Sequence, residues 1–303
     1  MSIAQGSGVL AVPDECAVWR EHLQQQREQI RTQFENRPDP FRALTAHSNA
    51  VDDLLHTIWK ATGQSGACCL IAVGGYGRGL LYPYSDVDVL ILLPADAEQD
   101  TRSRVELLVG RLWDVGLEIG HSVRTIEQCQ EEARQDITIQ TTMLEARLIA
   151  GSRRTYNRFR KVVKDSLNTG NFVEGKLLEQ EQRHTRFNDT AQNLEPNIKE
   201  GPGGLRDLQN ILWISTAAGL GTDWQELVQQ RILTHVEARQ LRRNERTLAE
   251  LRVRLHYLAK RREDRLLFDF QGALASGYGL KSTSAKRASE QLMQQFYTTA
   301  KSV

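Results

Sequence analysis

Two aspartates separated by one residue stand at the start of an apolar run in the segment SDVDVLILLP. In a strand, residues i and i+2 face the same side, so Asp86 and Asp88 project together while Val87 and Val89 point to the opposite layer. Carboxylates at the head of a buried strand are costly unless a cation or hydrogen bonds satisfy them. Because magnesium binds one or two carboxylates together with substrate phosphates, the pair predicts a divalent-cation site.

A glycine-rich turn precedes the two aspartates. Gly74 and Gly75 follow an apolar run, and the segment 76–81 is long enough for a helical turn. Free N–H groups at the start of such a turn can face a phosphate chain. Arg78 can neutralise the same anion, and Ser85 offers a hydroxyl beside the carboxylates. The turn therefore predicts a set of nucleotide-phosphate contacts.

A phosphate-binding turn and a carboxylate pair together point to nucleotidyl transfer, in which cations activate an acceptor hydroxyl and stabilise the departing pyrophosphate. Each half also has a plainer interpretation. A lone glycine doublet is more often a tight turn, and a lone DxD is more often a solvated loop or strand end. The order of the two, a glycine doublet, eleven residues to Asp86 and then an apolar strand, is much more specific than either half.

The surrounding sequence predicts the elements that must position these side chains. Short apolar runs at 67–73 and 87–93 have the length of strands, and LEIGHSVRT alternates like a half-buried strand. Apolar residues recur with helical spacing at 41–60 and 102–113. These elements describe a small mixed α/β unit around the aspartates.

The rest of the chain is organised differently. After Thr125 the pattern predicts helices only, interrupted by the polar loop LEPNIKEGPGGLRD. The expected fold class is α+β: a helical extension at 1–62, a nucleotidyltransferase domain with a small mixed sheet at 63–150, and an all-helical domain at 151–303.

The amino-acid composition limits the partners and the cellular compartment that we expect for this protein. The chain has 303 residues with 39 basic and 38 acidic side chains, so its net charge gives no argument for a nucleic-acid or membrane partner. Cys16, Cys68, Cys69 and Cys129 lack the spacing of a metal site, and two of them are adjacent, which favours a reducing compartment. No apolar run reaches the roughly 18 to 20 residues that span a bilayer. We therefore expect a cytoplasmic protein.

The segment GGYGRGLLYPYSDVDVLIL resembles the signature of the DNA polymerase beta type nucleotidyltransferase superfamily. The residues of this segment are similar to those of one family, the bifunctional uridylyltransferase/uridylyl-removing enzymes that modify the PII nitrogen-signalling protein. The likeness runs from about residue 40 to the end of the chain. It includes LWDVGLEIGHSVRT, TTMLEARLIAG, LEPNIKEGPGGLRDLQNILWI and HYLAKRREDRLLFDFQ.

This resemblance implies a polymerase-beta-like fold and a transferase that attaches UMP from UTP to a tyrosine of PII, with Mg²⁺ or Mn²⁺ and with release of pyrophosphate. Asp86 and Asp88 would be the catalytic metal ligands. Gly74, Gly75 and Arg78 would contact the nucleotide phosphates.

Members of the superfamily usually bring a third carboxylate from a neighbouring strand. On LEIGHSVRT the only candidate is Glu118, as a third ligand or as a base. By alternation, His121 faces the other side, and we interpret it as a packed, hydrogen-bonded histidine. His256, on an apolar face of a helix, has the same interpretation.

Two further segments admit two interpretations each. The loop LEPNIKEGPGGLRD is either a structural connection or a contact region that brings Lys199, Arg206 and Asp207 near the nucleotide or PII. The arginine-rich helix at 239–262 could be a nucleic-acid surface, but interleaved glutamates favour a solvated face.

In the resembled family, an HD hydrolase domain that removes UMP and two glutamine-sensing ACT domains follow the helical region. This sequence contains no His-Asp doublet, so we expect a transferase portion without uridylyl-removing activity or a direct glutamine response. Two alternatives stay open. The same framework could transfer AMP from ATP, to PII or to another protein, or the chain could be a catalytically idle docking module.

Overall fold

The computed structural model describes residues 14–64, 66–187, 193–283 and 286–303. Four strands, in the order β3-β2-β1-β4, form one sheet. β1 pairs antiparallel with β2 and β4, whereas β2 and β3 are parallel. The strands are β1 (Cys69–Ala72), β2 (Val87–Leu92), β3 (Ile119–Arg124) and β4 (Arg147–Gly151). The predicted α+β class with a small mixed sheet is confirmed. The domain boundaries stay predictions, and the first thirteen residues of the 1–62 extension lie outside the described residues.

Helices account for most of the described chain. Two long helices precede the sheet, four helices lie between or beside its strands, and the remainder follow β4. They are α1 (Glu15–Asn36), α2 (Pro40–Ala61), α3 (Gly74–Gly77), α4 (Gln99–Asp114), α5 (Ile126–Gln135), α6 (Ile137–Leu144), α7 (Arg153–Asp165), α8 (Thr169–Arg186), α9 (Leu205–Ala217), α10 (Trp224–Gln229), α11 (His235–Ala259), α12 (Phe268–Gly277) and α13 (Ala288–Lys301).

The sheet is covered on both faces, which explains why its central strands are almost continuously apolar. Val87, Val89 and Ile91 of β2 belong to a core shared with α1, α2, α4 and α11. Leu90 and Leu92 belong to a second core with α5, α6 and α7. Because strand side chains alternate, Asp88 of β2 and Asp86, which directly precedes the strand, lie on the side of the second core.

The expectation that only helices follow Thr125 is wrong. The segment TTMLEARLIAG divides: α6 ends at Leu144, and β4 pairs antiparallel with β1. Leu148 packs against the second core and Ile149 lies in the first, so these residues follow the period of a strand. A Cβ on Gly151 would lie 2.1 Å from the carbonyl oxygen of Cys68, so glycine permits the close pairing.

The helical region joins the sheet unit through α11, which packs against α2, α9, α12 and α13. Beside it, two loops pair by backbone hydrogen bonds: the Ile198 N–H donates to Asp264 at 2.8 Å, and the Leu266 N–H donates to Pro196 at 2.9 Å. These loops fix the chain that carries Lys199. None of the helices in the described ranges is both long enough and apolar enough to cross a bilayer.

Candidate active site

A cavity of about 260 Å³ lies where the β1–α3 turn and the start of β2 face α6, α8, α9 and the loop residue Lys199. All of the predicted site residues except Glu118 line it: Gly74, Gly75, Arg78, Ser85, Asp86 and Asp88. The glycine turn and the aspartate pair, which are eleven residues apart in the sequence, thus line the same cavity.

The turn after β1 requires its glycines. Gly74 has a φ of +56°, a left-handed conformation that side chains disfavour, and a Cβ there would lie 3.5 Å from Oδ2 of Asp88. A Cβ on Gly77 would lie 2.1 Å from the Glu145 carbonyl oxygen. The glycines therefore let the turn approach both Asp88 and the chain that follows α6.

A partly buried network holds this turn from the other side. The Tyr76 hydroxyl donates to Asp52, and Arg147 donates to both oxygens of the same carboxylate at 2.6 and 3.1 Å. The second guanidinium nitrogen also donates to Ser48 at 3.2 Å. Burial, together with Asp52, raises the pKa of Tyr76, so the phenol stays a donor. The turn is thereby fixed to α2 and β4.

The two aspartates form a negatively charged pair. Burial and then the nearby charge of Asp86 raise the pKa of Asp88, against the opposing effects of Arg262 and Lys199. Nη1 of Arg262 lies 2.6 Å from Oδ2 of Asp86. A Cβ on Gly120 of β3 would lie 2.4 Å from Oδ1 of Asp88, so the carboxylate uses space that a larger residue would fill.

This donor set fits a hard divalent cation. In the described ranges there is no group of three or more His, Cys, Asp or Glu side chains arranged to hold a metal. Two carboxylates suffice for Mg²⁺ when phosphate oxygens supply further ligands, which suits a site shared with a nucleotide. Arg262 already supplies one positive charge to Asp86.

Glu118 lies outside the cavity, and its side chain is exposed. Its carbonyl oxygen accepts from the Val87 N–H at 2.8 Å, and the parallel register pairs Val87 with Ile119 and Asp88 with Gly120. The register therefore sets Glu118 beside the position of Asp86. Its role as a third ligand or base stays a prediction.

The helical region contributes five cations to the opposite wall: Lys176, Lys199, Arg206, Arg252 and Arg262. Burial, followed by Arg206 and Arg252, lowers the pKa of Lys199 to about 8 despite the nearby acids. The expectation of a solvated arginine-rich face is wrong for Arg252, which is buried. It fails because α11 packs into the protein, which the interleaved glutamates do not indicate.

His256 confirms the prediction of a packed histidine and anchors the loop before Asp86. It is fully buried, donates from Nδ1 to the Pro83 carbonyl at 2.6 Å, and has Nε2 3.2 Å from Asp264. Although burial alone would raise it, the pKa of Asp264 is lowered by hydrogen bonds from His256 and Arg252. His121, in contrast, is exposed and meets Trp113 edge-on at 5.6 Å, so its packed interpretation is wrong.

The loop LEPNIKEGPGGLRD combines its two interpretations. Lys199 and Arg206 line the cavity, whereas Asp207 does not. The Asp207 carboxylate is buried and accepts from the Gly203 N–H at 2.7 Å and from His184 at 3.0 Å, with a further bond from Arg183. Asp207 thus holds the loop in shape.

Sequence reasoning missed Glu145 and Trp213. The buried Glu145 carboxylate accepts from both Arg78 and the Trp213 indole N–H. Two cations make cation–π contacts with the Trp213 ring: Lys176 Nζ lies 4.5 Å and the Arg206 guanidinium carbon 5.0 Å from the ring centroid. The only signal in the sequence was an acidic residue within the apolar stretch TTMLEARLIAG.

Two family models match this chain. One, described as "Nucleotidyltransferase domain", matches residues 69–142, which contain the turn and both aspartates. The other, described as "GlnD PII-uridylyltransferase", matches residues 171–303, which contain the cation-bearing wall. The two matches thus cover the two sides of the cavity.

Similar proteins carry the name "Bifunctional uridylyltransferase/uridylyl-removing enzyme". The one from Chromobacterium violaceum is 50% identical over 285 residues, 94% of this chain and 33% of the relative. The one from Aromatoleum aromaticum is 48% identical over 299 residues, 97% of this chain and 35% of the relative. The chain therefore spans about a third of the length of these curated relatives. It belongs to the uridylyltransferase/uridylyl-removing enzyme family of nucleotidyltransferases.

Proposed function

We propose that this chain transfers UMP from UTP to a tyrosine hydroxyl of a PII protein and releases pyrophosphate. The observation that carries the proposal is one cavity in which a glycine turn and an aspartate pair face five cations from the helical region. The names of the relatives favour uridylyl transfer, and one matching family model names PII. The buried side chains of Cys16, Cys69 and Cys129 are thiols outside any disulfide, which supports action in the reducing cytoplasm.

The aspartate side of the cavity would hold the cation and the phosphates nearest the reaction. Asp86 and Asp88 are the carboxylates that would bind Mg²⁺ or Mn²⁺. When bound, the cation supplies charge stabilisation to the reacting phosphate and lowers the pKa of the acceptor hydroxyl. Gly74 and Gly75 leave the backbone open to the phosphates, while Arg78 and Ser85 add a positive charge and a donor.

The opposite wall would neutralise the rest of the triphosphate. Lys199, Arg206 and Arg252 can bind phosphate oxygens, and Arg262 can pass from Asp86 to the nucleotide once the carboxylate has another cation. A tyrosine phenol has a reference pKa near 10 and must lose its proton to attack. The register beside Asp86 supports Glu118 as the group that takes this proton.

The direct test follows label from the nucleotide to the acceptor. The chain is mixed with PII, ATP, 2-oxoglutarate and Mg²⁺, and α-labelled UTP or α-labelled ATP is added in separate reactions. We expect label from UTP on PII, and a loss of at least 100-fold in Asp88→Asn because a metal ligand is removed. Asp96→Asn, the same change at an exposed position beyond the other end of β2, should keep the wild-type rate.

The other outcomes separate the alternatives. Label from ATP alone would make the chain an adenylyltransferase. Absence of label from both nucleotides, with a folded chain, would instead favour a docking module or a requirement for the rest of the longer relatives. Full activity in Asp88→Asn would contradict the assignment of the metal ligands.

A further inference from the structure

The helix-lined end of the cavity is built from one face each of three helices. The lining residues recur with helical spacing, which shows that each helix presents a single stripe to the cavity. The stripes include Thr138 and Thr142 on α6, Lys176 and Glu179 on α8, and Gln209 and Trp213 on α9. α6 packs against both α8 and α9, so the stripes converge.

The hydrogen bonds already made inside this end fix what each side chain can still offer. The Thr142 hydroxyl donates to the Thr138 carbonyl at 2.8 Å, so only its acceptor lone pairs remain. The Gln209 carbonyl oxygen accepts from Arg206 at 3.1 Å, which leaves its NH₂ group as a donor. Thr142 and Gln209 both line the same cavity.

Lys176 supplies a second donor. Its ammonium is buried above the Trp213 ring and donates to Glu179 at 2.6 Å, and an ammonium has three N–H groups. Burial lowers the pKa of Lys176, but Glu179 opposes that effect. The indole N–H of Trp213 is occupied by Glu145, so the ring fixes Lys176 and offers no competing donor.

We propose that Thr142, Lys176 and Gln209 form the nucleobase subsite of this cavity and that they select uracil. The Watson–Crick edge of uracil presents an acceptor, a donor and an acceptor, at O2, N3–H and O4. The protein offers the complement: Lys176 and Gln209 as donors and Thr142 as the acceptor for N3–H. This inference rests on the proposed function and adds the groups that read the base.

The same groups disfavour the other pyrimidine. Cytosine has an unprotonated N3 and an amino group at C4, so the Thr142 acceptor would face an acceptor, and one of the two donors would face a donor. Polar groups that a bound base covers and leaves without partners are costly, and a site built to bind one hydrogen-bonding pattern rejects another for this reason. The stripe of α6 therefore favours UTP over CTP.

The first experiment changes the ligand and leaves the protein intact. Binding of UTP, CTP and N3-methyl-UTP, each with Mg²⁺ and without acceptor protein, is measured by titration calorimetry. We expect UTP to bind at least tenfold more tightly than either analogue, because only UTP donates from N3. Equal affinity for UTP and N3-methyl-UTP would overturn the inference.

The second experiment uses a pair of matched variants. Thr142→Val removes the acceptor with little change of shape and should weaken UTP binding about tenfold without affecting CTP, so that the UTP/CTP ratio falls. Thr57→Val is the control, because Thr57 makes the same hydrogen bond to a carbonyl four residues earlier, on an exposed face of α2. It should leave both affinities unchanged.

The outcomes distinguish this inference from the proposed function. If Thr142→Val keeps the wild-type UTP/CTP ratio, the subsite assignment is wrong while nucleotide transfer stands. Failure of the folded wild-type chain to bind any of the three nucleotides would overturn both. Lys176→Met should also weaken UTP binding, and unchanged affinity in that variant would remove Lys176 from the subsite.

Discussion

At the scale of single residues, Glu145 connects the two walls of the cavity. Its buried carboxylate receives hydrogen bonds from Arg78 on the glycine turn and from Trp213 on α9. A carboxylate that receives two donors fixes both of them, and its charge sets the direction of the arginine. We therefore regard Glu145 as a positioning residue for Arg78.

Glu145→Gln tests this role by removing the charge while keeping the shape. The KM for UTP should rise about tenfold, because a charge-assisted hydrogen bond contributes about 1.5 to 3 kcal/mol, and kcat should change much less. Steady-state kinetics of label transfer separates the two parameters. Glu131→Gln on the exposed face of α5 is the control, and an unchanged KM in Glu145→Gln would exclude the positioning role.

Some residues of this site can be recognised from the sequence, whereas others cannot. Asp86, Asp88 and the glycine doublet can be recognised because their spacing along the chain matches their chemistry. Glu145 and Arg262 cannot, because each meets its partner across a long stretch of sequence, 67 residues for Glu145 and Arg78 and 176 for Arg262 and Asp86. Such pairings depend on the packing of helices, which local periodicity does not encode.

At the scale of elements, the turn between β1 and β2 depends on close contact with the chain after α6. Gly77→Ala would put a methyl group against the Glu145 and Ala72 carbonyl oxygens. We expect the free energy of unfolding to fall by about 2 kcal/mol, as for other overpacked sites, and Mg²⁺-UTP binding to weaken. Urea unfolding and calorimetry measure the two effects.

Gly110→Ala is the matched control. Gly110 lies within α4, and a Cβ there would have no neighbour within 4 Å. This substitution should raise the free energy of unfolding by up to about 1 kcal/mol, because alanine favours a helix. If both variants changed stability alike, the contact at Gly77 would not be what the turn requires.

Most elements follow from the sequence, and β4 shows why one did not. Strand β1 is wholly apolar and β2 is apolar except for Asp88, and their lengths are typical of buried strands, so the sequence indicates both. TTMLEARLIAG has residues that favour a helix, and its second half becomes a strand only because the edge of β1 is available to pair. Tertiary pairing here overrides local preference.

At the scale of the whole molecule, α11 ties the helical region to the sheet unit. His47 on α2 is buried and lies 2.9 Å from the hydroxyl of Tyr257 on α11. Burial, and secondarily the charge of Arg27, lowers the pKa of His47 to about 4. Folding therefore favours the neutral form of the His47 imidazole.

The free energy of unfolding should therefore decrease as the pH falls through a defined range. The unfolded chain takes up a proton at His47 near pH 6.5, whereas the folded chain does so only near pH 4, so the free energy of unfolding decreases as pH falls between these values. At pH 5 the loss relative to pH 7.5 is about 2 kcal/mol. Urea unfolding of wild type and His47→Gln at both pH values should show this loss in the wild type only. The exposed His22→Gln serves as the control, and an equal loss in His47→Gln would contradict the assignment.

The central claim is that Asp86 and Asp88 hold the cation that the nucleotide shares. Water proton relaxation by Mn²⁺-UTP tests it directly, because the enhancement reports the metal complex bound to the protein. We predict that wild type and Asp96→Asn give the same enhancement, and that Asp88→Asn requires at least tenfold more protein to reach it. A normal enhancement curve in a folded Asp88→Asn would contradict the account.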